Sequence, residues 1–381
     1  MWPHEKIGGS KLGKYGKRNE VKIDPLSYNI CLLGEPKIGK TTLVREVCEK
    51  LAGENGYMFL ELAGERGADA IQGIVYEDCD EWDDFEDIVD DIIDNKTSDY
   101  PNLKVVVTDT YDGWIRLAEG EAIRLWNRDN PDKTAKSIDA AWGGFQRGQQ
   151  KAFDLMFEKF MELDKVGVKV FIIGHVKNKE ETDVASGITF KTLTSDVEKV
   201  YFNLLKKKMH FLGLAFYDRT IITEKTGKKN AVTKKDETVN KLSNQTRKIK
   251  FRDDNVAVDS GSRFADIVQE VDMTADDFIK AMVDAIKAEQ SKSGKSLEES
   301  KSEQDKKELA KLKEIAKNEK LNREAKQLKE IVSKITDFIK NNKSDMDLLK
   351  PLLAFSKENG YANPTLIDDV KVATEALKLI S

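Results

Sequence analysis

The chain has 381 residues, of which 39% are hydrophobic and 34% are charged, and its formal net charge is −5. This composition is typical of a soluble protein with one large, well-packed domain and an appendage. No apolar run approaches membrane-spanning length and the polar start is not a signal peptide, so we expect a cytoplasmic protein without a membrane partner. The cysteines Cys31, Cys48 and Cys79 form no metal or disulfide pattern and are expected to be buried thiols.

Residues 1–26 are rich in lysine and glycine and are predicted to be a flexible basic tail. The apolar run that follows ends at Gly34, and four residues later Gly39-Lys40-Thr41 opens a helix, which is the P-loop pattern. The two glycines are expected to supply tight, left-handed turns that aim backbone N–H groups at a triphosphate. Lys40 would reach the β- and γ-phosphates, and the Thr41 hydroxyl would bind Mg²⁺. The sequence therefore predicts a site for ATP and Mg²⁺ made of Gly34, Glu35, Pro36, Lys37, Ile38, Gly39, Lys40, Thr41 and Thr42.

Three further apolar runs predict buried strands. The first covers 57–62 and precedes an acidic stretch, 77–94, whose apolar residues recur at helical spacing. The second, 103–110, places Asp109 at its end, where an aspartate beside a P-loop can hold Mg²⁺ through water. The third, 168–175, brings His175 to the same edge of the sheet.

The second half of the core is more polar. Residues 178–194 lack a helical period and are predicted to be a loop, followed by a helix over 196–208. Strands are expected at 211–217, 220–223 and 247–251, with a turn at 226–228 and a polar, lysine-rich connection between them.

The C-terminal part is predicted to be helical. The proposed organisation is α/β, with a mainly parallel sheet flanked by helices and extended by β-hairpins. Its segments are a tail (1–26), an ATPase core (27–272), a helix (273–289), a Ser/Lys/Glu-rich linker (290–305) and a helical module (306–381).

Taken together, residues 26–270 resemble phage-encoded RecA-like ATPases of the single-strand annealing and recombination type. The segments that carry the resemblance are the P-loop, Phe59 to Glu65, Val105 to Asp109, Phe171 to Lys177, and Ser260-Gly261-Ser262-Arg263-Phe264 with its Arg-Phe pair. The resemblance implies a RecA-like fold and an ATPase stimulated by single-stranded DNA. It also implies a homo-oligomer, ring or filament, that acts in recombination or replication in the cytoplasm of a bacterial host.

The same resemblance assigns roles to single residues. The acid after the second strand polarises the attacking water in RecA-like enzymes, and here that acid is Glu65 or Glu61, of which we prefer Glu65. His175 stands where RecA has a glutamine, so it is either a γ-phosphate sensor or a strand-end histidine satisfied by backbone. The segment 178–194 would contact single-stranded DNA, with phosphate contacts from Lys177, Lys179 and Lys191.

Other functions remain open at this stage. A hexameric helicase motor would share the same core. A small-molecule kinase would need an arginine-rich lid, and no arginine cluster is evident near the predicted sheet edge. A nucleotide-dependent scaffold could instead recruit a single-strand-binding or replication partner through the helical tail.

Overall fold

The computed structural model describes residues 19–182, 187–229, 236–252, 258–294, 296–343 and 345–380, with backbone alone at 181, 221, 223–229 and 236–241. Most of the predicted basic tail therefore lies outside the described residues. Two compact units are present, one made of residues 19–89 and 102–307, the other of residues 90–101 and 308–380. No helix in the described part of the chain is long and apolar enough to cross a membrane.

The strands, in chain order, are β1 (Ile30–Gly34), β2 (Tyr57–Leu62), β3 (Tyr76–Cys79), β4 (Val105–Asp109), β5 (Lys169–Thr182), β6 (Thr189–Ser195), β7 (Phe211–Lys229), β8 (Asp236–Lys250), β9 (Gly261–Ser262) and β10 (Glu270–Asp272). The helices are α1 (Lys40–Ala52), α2 (Trp82–Asp94), α3 (Tyr111–Asp129), α4 (Arg147–Lys165), α5 (Lys199–Lys206), α6 (Ala275–Ser291), α7 (Leu297–Asn341), α8 (Met346–Glu358) and α9 (Val370–Lys378). The boundary between the two units falls within α2 and again within α7.

The centre of the first unit is a parallel sheet with the strand order β7-β1-β5-β4-β2-β3. Every residue of β1 and β4 is buried, which explains why these strands are continuous apolar runs in the sequence. Strand β5 lies between β1 and β4, with Gly34 opposite His175 and Asp109 opposite Ile173. Gly34 and Asp109, at the ends of β1 and β4, therefore lie at the same edge of the parallel strands as His175, from which β5 continues outward.

Antiparallel strands extend this sheet where the sequence predicted loops. Strand β6 pairs with the outer part of β5, from Val176 opposite Ser195 to Thr182 opposite Thr189, so the predicted loop 178–194 is mostly a hairpin. Strand β8 pairs with β7 along nearly its whole length, and the predicted turn at 226–228 lies inside β7. Backbone pairing and a few polar side-chain contacts hold these extensions, and because their outer residues are mostly polar they lack the apolar alternation that is typical of a strand.

Two smaller differences have similar causes. Residues 77–79, predicted as the start of an acidic helix, belong to the edge strand β3, and α2 begins only at Trp82. The polar segment 290–305, predicted as a linker, is helical from Leu297 onward, because an exposed helix needs few apolar residues. Whether the tail separates from the ATPase core stays a prediction. The three cysteines are buried free thiols, as expected.

The Arg-Phe pair at the end of the core packs against the sheet. The Phe264 ring stacks on Phe211 with centroids 4.8 Å apart and meets the edge of Tyr28 at 5.1 Å. Arg263 donates to the carbonyl of Lys207. These contacts give the pair a structural role in closing the core.

The second unit has its own apolar core. The C-terminal part of α7 packs with α8 and α9 through Ile331, Ile335, Leu352, Ala373 and Ala376. Within the same unit, Glu319 accepts a hydrogen bond from the Thr97 backbone N–H at 2.8 Å. The predicted helical character of the C-terminal part is confirmed.

His210 gives the first unit a pH-dependent stability. Its Nδ1 accepts from the backbone N–H of Asn29 at 3.2 Å, and its ring packs on Tyr28. Burial, supported by the positive charges of Arg263, Lys169 and Lys22, lowers the pKa of His210 to about 4. The folded protein therefore keeps this imidazole neutral while the unfolded chain protonates it below its ordinary pKa of about 6.5.

We predict that acidification from pH 7 to pH 5 lowers the free energy of unfolding of the parent more than that of His210→Asn. In this range the unfolded chain binds a proton at His210 that the folded chain excludes, so stability falls as pH falls. The Asn amide oxygen can still accept from Asn29. Urea unfolding of both proteins at several pH values measures the difference, in which the carboxylates common to both cancel. Parallel pH profiles would contradict the prediction.

Candidate nucleotide site

The P-loop leaves β1 and enters α1 through residues with unusual backbone angles. Gly39 has φ of 103° and Lys37 has φ of 61°, both in the left-handed region. Gly34 was expected to adopt this region too, but it lies within β1, and a glycine is needed there for space. A Cβ on Gly34 would lie 3.0 Å from Ala215 Cβ and 3.2 Å from Lys40 Cδ. The first glycine thus makes room for the neighbouring strand and for the P-loop lysine.

Lys40 is buried beneath this loop, with only 6% of its surface exposed. Its Nζ donates to the carbonyl oxygens of Gly34 and Glu35, each at 3.1 Å. Burial lowers the pKa of Lys40, an effect opposed by the nearby carboxylates of Asp109, Asp112, Glu65 and Asp196. The loop and its lysine therefore face a ring of acids.

Thr41 and Asp109 meet across the intervening strand β5. The Thr41 hydroxyl donates to Asp109 Oδ2 at 2.7 Å, although the two residues come from α1 and β4. Burial raises the pKa of Asp109 to about 6, and the hydrogen bond from Thr41 opposes this rise. The two residues predicted to hold Mg²⁺ are thus in direct contact.

Beside Gly67, an oxygen of Glu61 joins those of Thr41 and Asp109 around one small space. A Cβ on Gly67 would lie 3.4 Å from Thr41 Oγ1, 3.5 Å from Glu61 Oε1 and 3.6 Å from Asp109 Oδ2. Glu61 is almost fully buried, and its Oε2 is buried without a hydrogen-bond partner. Oxygen ligands around one small space are what Mg²⁺ prefers, so these residues fit the cation that the P-loop implies. Within the described residues no group of three or more His, Cys, Asp or Glu side chains could hold a metal ion. The set beside Gly67 contains only two carboxylates, and the Thr41 hydroxyl is its third member.

The two candidate acids occupy different positions. Glu61 is part of β2 and accepts from the backbone N–H of Ala68; burial raises its pKa, which this bond opposes and the Asp109 charge reinforces. Glu65 lies past the strand end, half-buried, and its charge acts on both Lys40 and Asp109. Sequence reasoning preferred Glu65 as the water-orienting acid and gave Glu61 no part in the metal site. The sequence feature that could have indicated a role for Glu61 at the metal site is its position as a charged residue inside an otherwise apolar strand.

His175 is neither alone nor satisfied by backbone. Its Nδ1 lies 3.2 Å from Asp112 Oδ1 in the first turn of α3. The hydrogen bond to Asp112 raises the pKa of His175, against the effects of burial and of Lys40. Burial would raise the pKa of Asp112, but its bonds with His175 and Thr110 and the histidine charge lower it. The carboxylate therefore orients the imidazole beside the P-loop.

The three lysines predicted to bind DNA do not form one patch. Lys177 and Lys179 alternate along β5 and share a face, whereas Lys191 stands opposite Glu180 on the other face. Lys177 Nζ donates to the Asp196 carbonyl at 2.7 Å, and Lys191 lies 3.7 Å from Glu180 Oε1.

Phe145 is an aromatic residue that the structure leaves almost fully exposed, with 96% of its surface accessible. It lies in a turn just before α4, where Trp142, Phe145 and Gln146 all have positive φ. Since α4 runs directly into β5, its N-terminal end points towards the edge at which the parallel strands end.

A P-loop between a buried strand and a helix, with Asp109 two strands away and β5 between them, defines a P-loop nucleoside triphosphatase of RecA-like fold. The family described as AAA domain matches residues 26–244, more than half of the chain. The chain therefore belongs to this AAA-domain family of ATPases.

A KaiC-like protein from the hyperthermophilic archaeon Pyrococcus horikoshii OT3 is similar over 59% of this chain and 78% of its own, with 13% identity and a TM-score of 0.29. Comparison with curated protein sequences gave no match. The strand order and the P-loop geometry of the chain itself define its fold.

We predict different phenotypes for the two acids. Glu65→Gln should keep ATP affinity and slow hydrolysis by about 100-fold or more, because an amide cannot polarise water as a carboxylate does. Glu61→Gln should raise the Mg²⁺ concentration needed for half-maximal ATP binding, because it removes a charged oxygen from the Thr41–Asp109 cluster. ATP titrations at several Mg²⁺ concentrations, with single-turnover hydrolysis, separate the two effects. If the phenotypes are exchanged, Glu61 is the water-orienting acid.

Proposed function

We propose that this ATPase hydrolyses ATP with Mg²⁺ and acts on single-stranded DNA in phage recombination or replication. The observation that carries the proposal is the continuity of β5. This strand runs from the P-loop edge, where His175 stands opposite Gly34, straight into an exposed hairpin that bears Lys177 and Lys179. A conformational change caused by the nucleotide would therefore reach the hairpin through a single strand.

The hydrolysis follows from the acids around the P-loop. Thr41, Asp109 and Glu61 would hold Mg²⁺, which supplies positive charge to the phosphate oxygens and allows a triphosphate to enter an acidic site. Lys40 would turn from the loop carbonyls to the phosphates. Glu65 would orient the attacking water, and His175, held by Asp112, would donate to the γ-phosphate.

The DNA contact would combine charge with stacking. Lys177 and Lys179 on one face of the hairpin supply phosphate contacts, which carry no sequence information. Phe145 offers a nearly fully exposed aromatic face, on which any base can stack. Arg147 and Lys151 follow it within the first turns of α4. Binding would therefore be tight at low salt and largely insensitive to sequence, and assembly into a ring or filament would line up several such surfaces.

We predict that two variants weaken single-strand binding in distinguishable ways. Replacing Lys177 and Lys179 by Ala should weaken affinity and reduce the slope of log affinity against log salt by about 1.4, since each single-strand phosphate contact contributes about 0.7. Phe145→Ala should weaken affinity by at least about fivefold and leave the slope unchanged, because stacking releases no counterions. Titration of labelled oligonucleotides at several salt concentrations measures both.

Lys191→Ala is the matched control. It removes a lysine from the same hairpin, but one that is paired with Glu180 on the opposite face, so affinity should change less than in the double variant. ATP affinity without DNA should be unchanged in all three proteins. If the parent binds no single-stranded DNA even at low salt, the DNA proposal fails, and ATP binding tests the nucleotide site separately.

A further inference from the structure

The phosphate-binding loop is held from outside by the β7–β8 hairpin. Arg247, on β8 opposite Tyr217, donates from Nη1 to the carbonyl oxygen of Ile38 at 3.0 Å. The same nitrogen lies 2.9 Å from the position that a Cβ on Gly39 would take. Gly39 is thus required both by its positive φ and by the guanidinium packed against it.

A second arginine of the hairpin reaches the other end of the loop. Arg219 Nη2 lies 3.9 Å from Glu35 Oε2, its guanidinium stacks over Tyr217 at 4.8 Å, and its Nε donates to Gln245 at 3.2 Å. Glu35 and Ile38 are the first and last of the four residues between the two P-loop glycines. The Arg219–Glu35 pair is partly exposed and its atoms are 3.9 Å apart, so it is weak and Arg247 makes the stronger contact.

The loop needs such a contact. Lys37 is a non-glycine residue in the left-handed region, a conformation that persists only where the surrounding structure holds it. Lys40 supports the loop from inside through the carbonyls of Gly34 and Glu35. A lysine that turns to a phosphate gives up these bonds, whereas Arg247 can keep its bond to Ile38 in both states.

We propose that Arg247 is a positioning residue that holds the P-loop in its phosphate-binding conformation through the Ile38 carbonyl. Arg247 acts through the loop and is not one of the groups that would hold Mg²⁺ or surround Lys40. The inference rests on the nucleotide site and is independent of the DNA role.

The test is nucleotide binding by Arg247→Met, which removes the donors and keeps an unbranched apolar stem. Loss of a charge-assisted hydrogen bond that preorganises the loop should raise the Kd for ATP and for ADP alike by about tenfold, since both nucleotides carry the phosphates that the loop wraps. The rate of hydrolysis at saturating ATP should change less than about threefold. Arg247→Lys keeps a donor and should recover part of the affinity.

Lys248→Met is the matched control. Lys248 neighbours Arg247 on β8, faces the other side of the strand and pairs with Glu270 at 2.8 Å. Its substitution should leave both nucleotide affinities unchanged, and the midpoint of thermal unfolding without nucleotide should be alike in the two variants. Unchanged affinity in Arg247→Met, equal losses in both variants, or a loss of hydrolysis rate alone would each overturn the inference. A parent protein that does not bind ATP would overturn the P-loop assignment itself.

Discussion

The hydrogen bond between Thr41 and Asp109 is the contact on which the arrangement of the site depends. Its two residues come from α1 and β4, which are separated in the sheet by β5. For the bond to form at 2.7 Å, β1 and β4 must end at nearly the same level, and their registers against β5 provide this. A slip of one residue in either pairing would turn Asp109 or His175 to the opposite face of the sheet. Fold and site are therefore specified together.

Negative charge is in excess at this edge of the sheet. The carboxylates of Asp109, Asp112, Glu65 and Asp196 act on one buried ammonium group, that of Lys40. Such a set is unfavourable without further positive charge, which a divalent cation supplies. The strain of the P-loop is offset in a similar way by contacts from its surroundings, with Lys40 on the inside and Arg247 on the outside.

The sequence predicts those parts of the molecule that an apolar pattern announces. The strand before the P-loop, the strand that ends at Asp109 and the first half of β5 are buried, so the sequence predicts them directly, although β5 continues beyond His175 to Thr182. The hairpins β5–β6 and β7–β8 could not, because partner strands far along the chain hold them and their outer residues are polar. The place of Glu61 beside Thr41 and Asp109, and the contact of Arg247 with the P-loop, were not predicted for a related reason: only the folded sheet brings these residues together. The hairpin register, which the sequence does not predict, also places Lys191 on the face opposite to Lys177.

A larger residue at Gly67 would change the space beside the backbone and not the backbone conformation. The φ of Gly67 is −72°, so the backbone there would accept any residue. A methyl group there would be in van der Waals contact with the oxygens of Thr41, Glu61 and Asp109, and it would occupy the space between them. A chain with the same P-loop and an alanine at this position would have its cation pocket plugged by its own side chain. We expect such a chain to keep its phosphate-binding loop and to lose affinity for Mg²⁺, a change that a single carbon atom would cause.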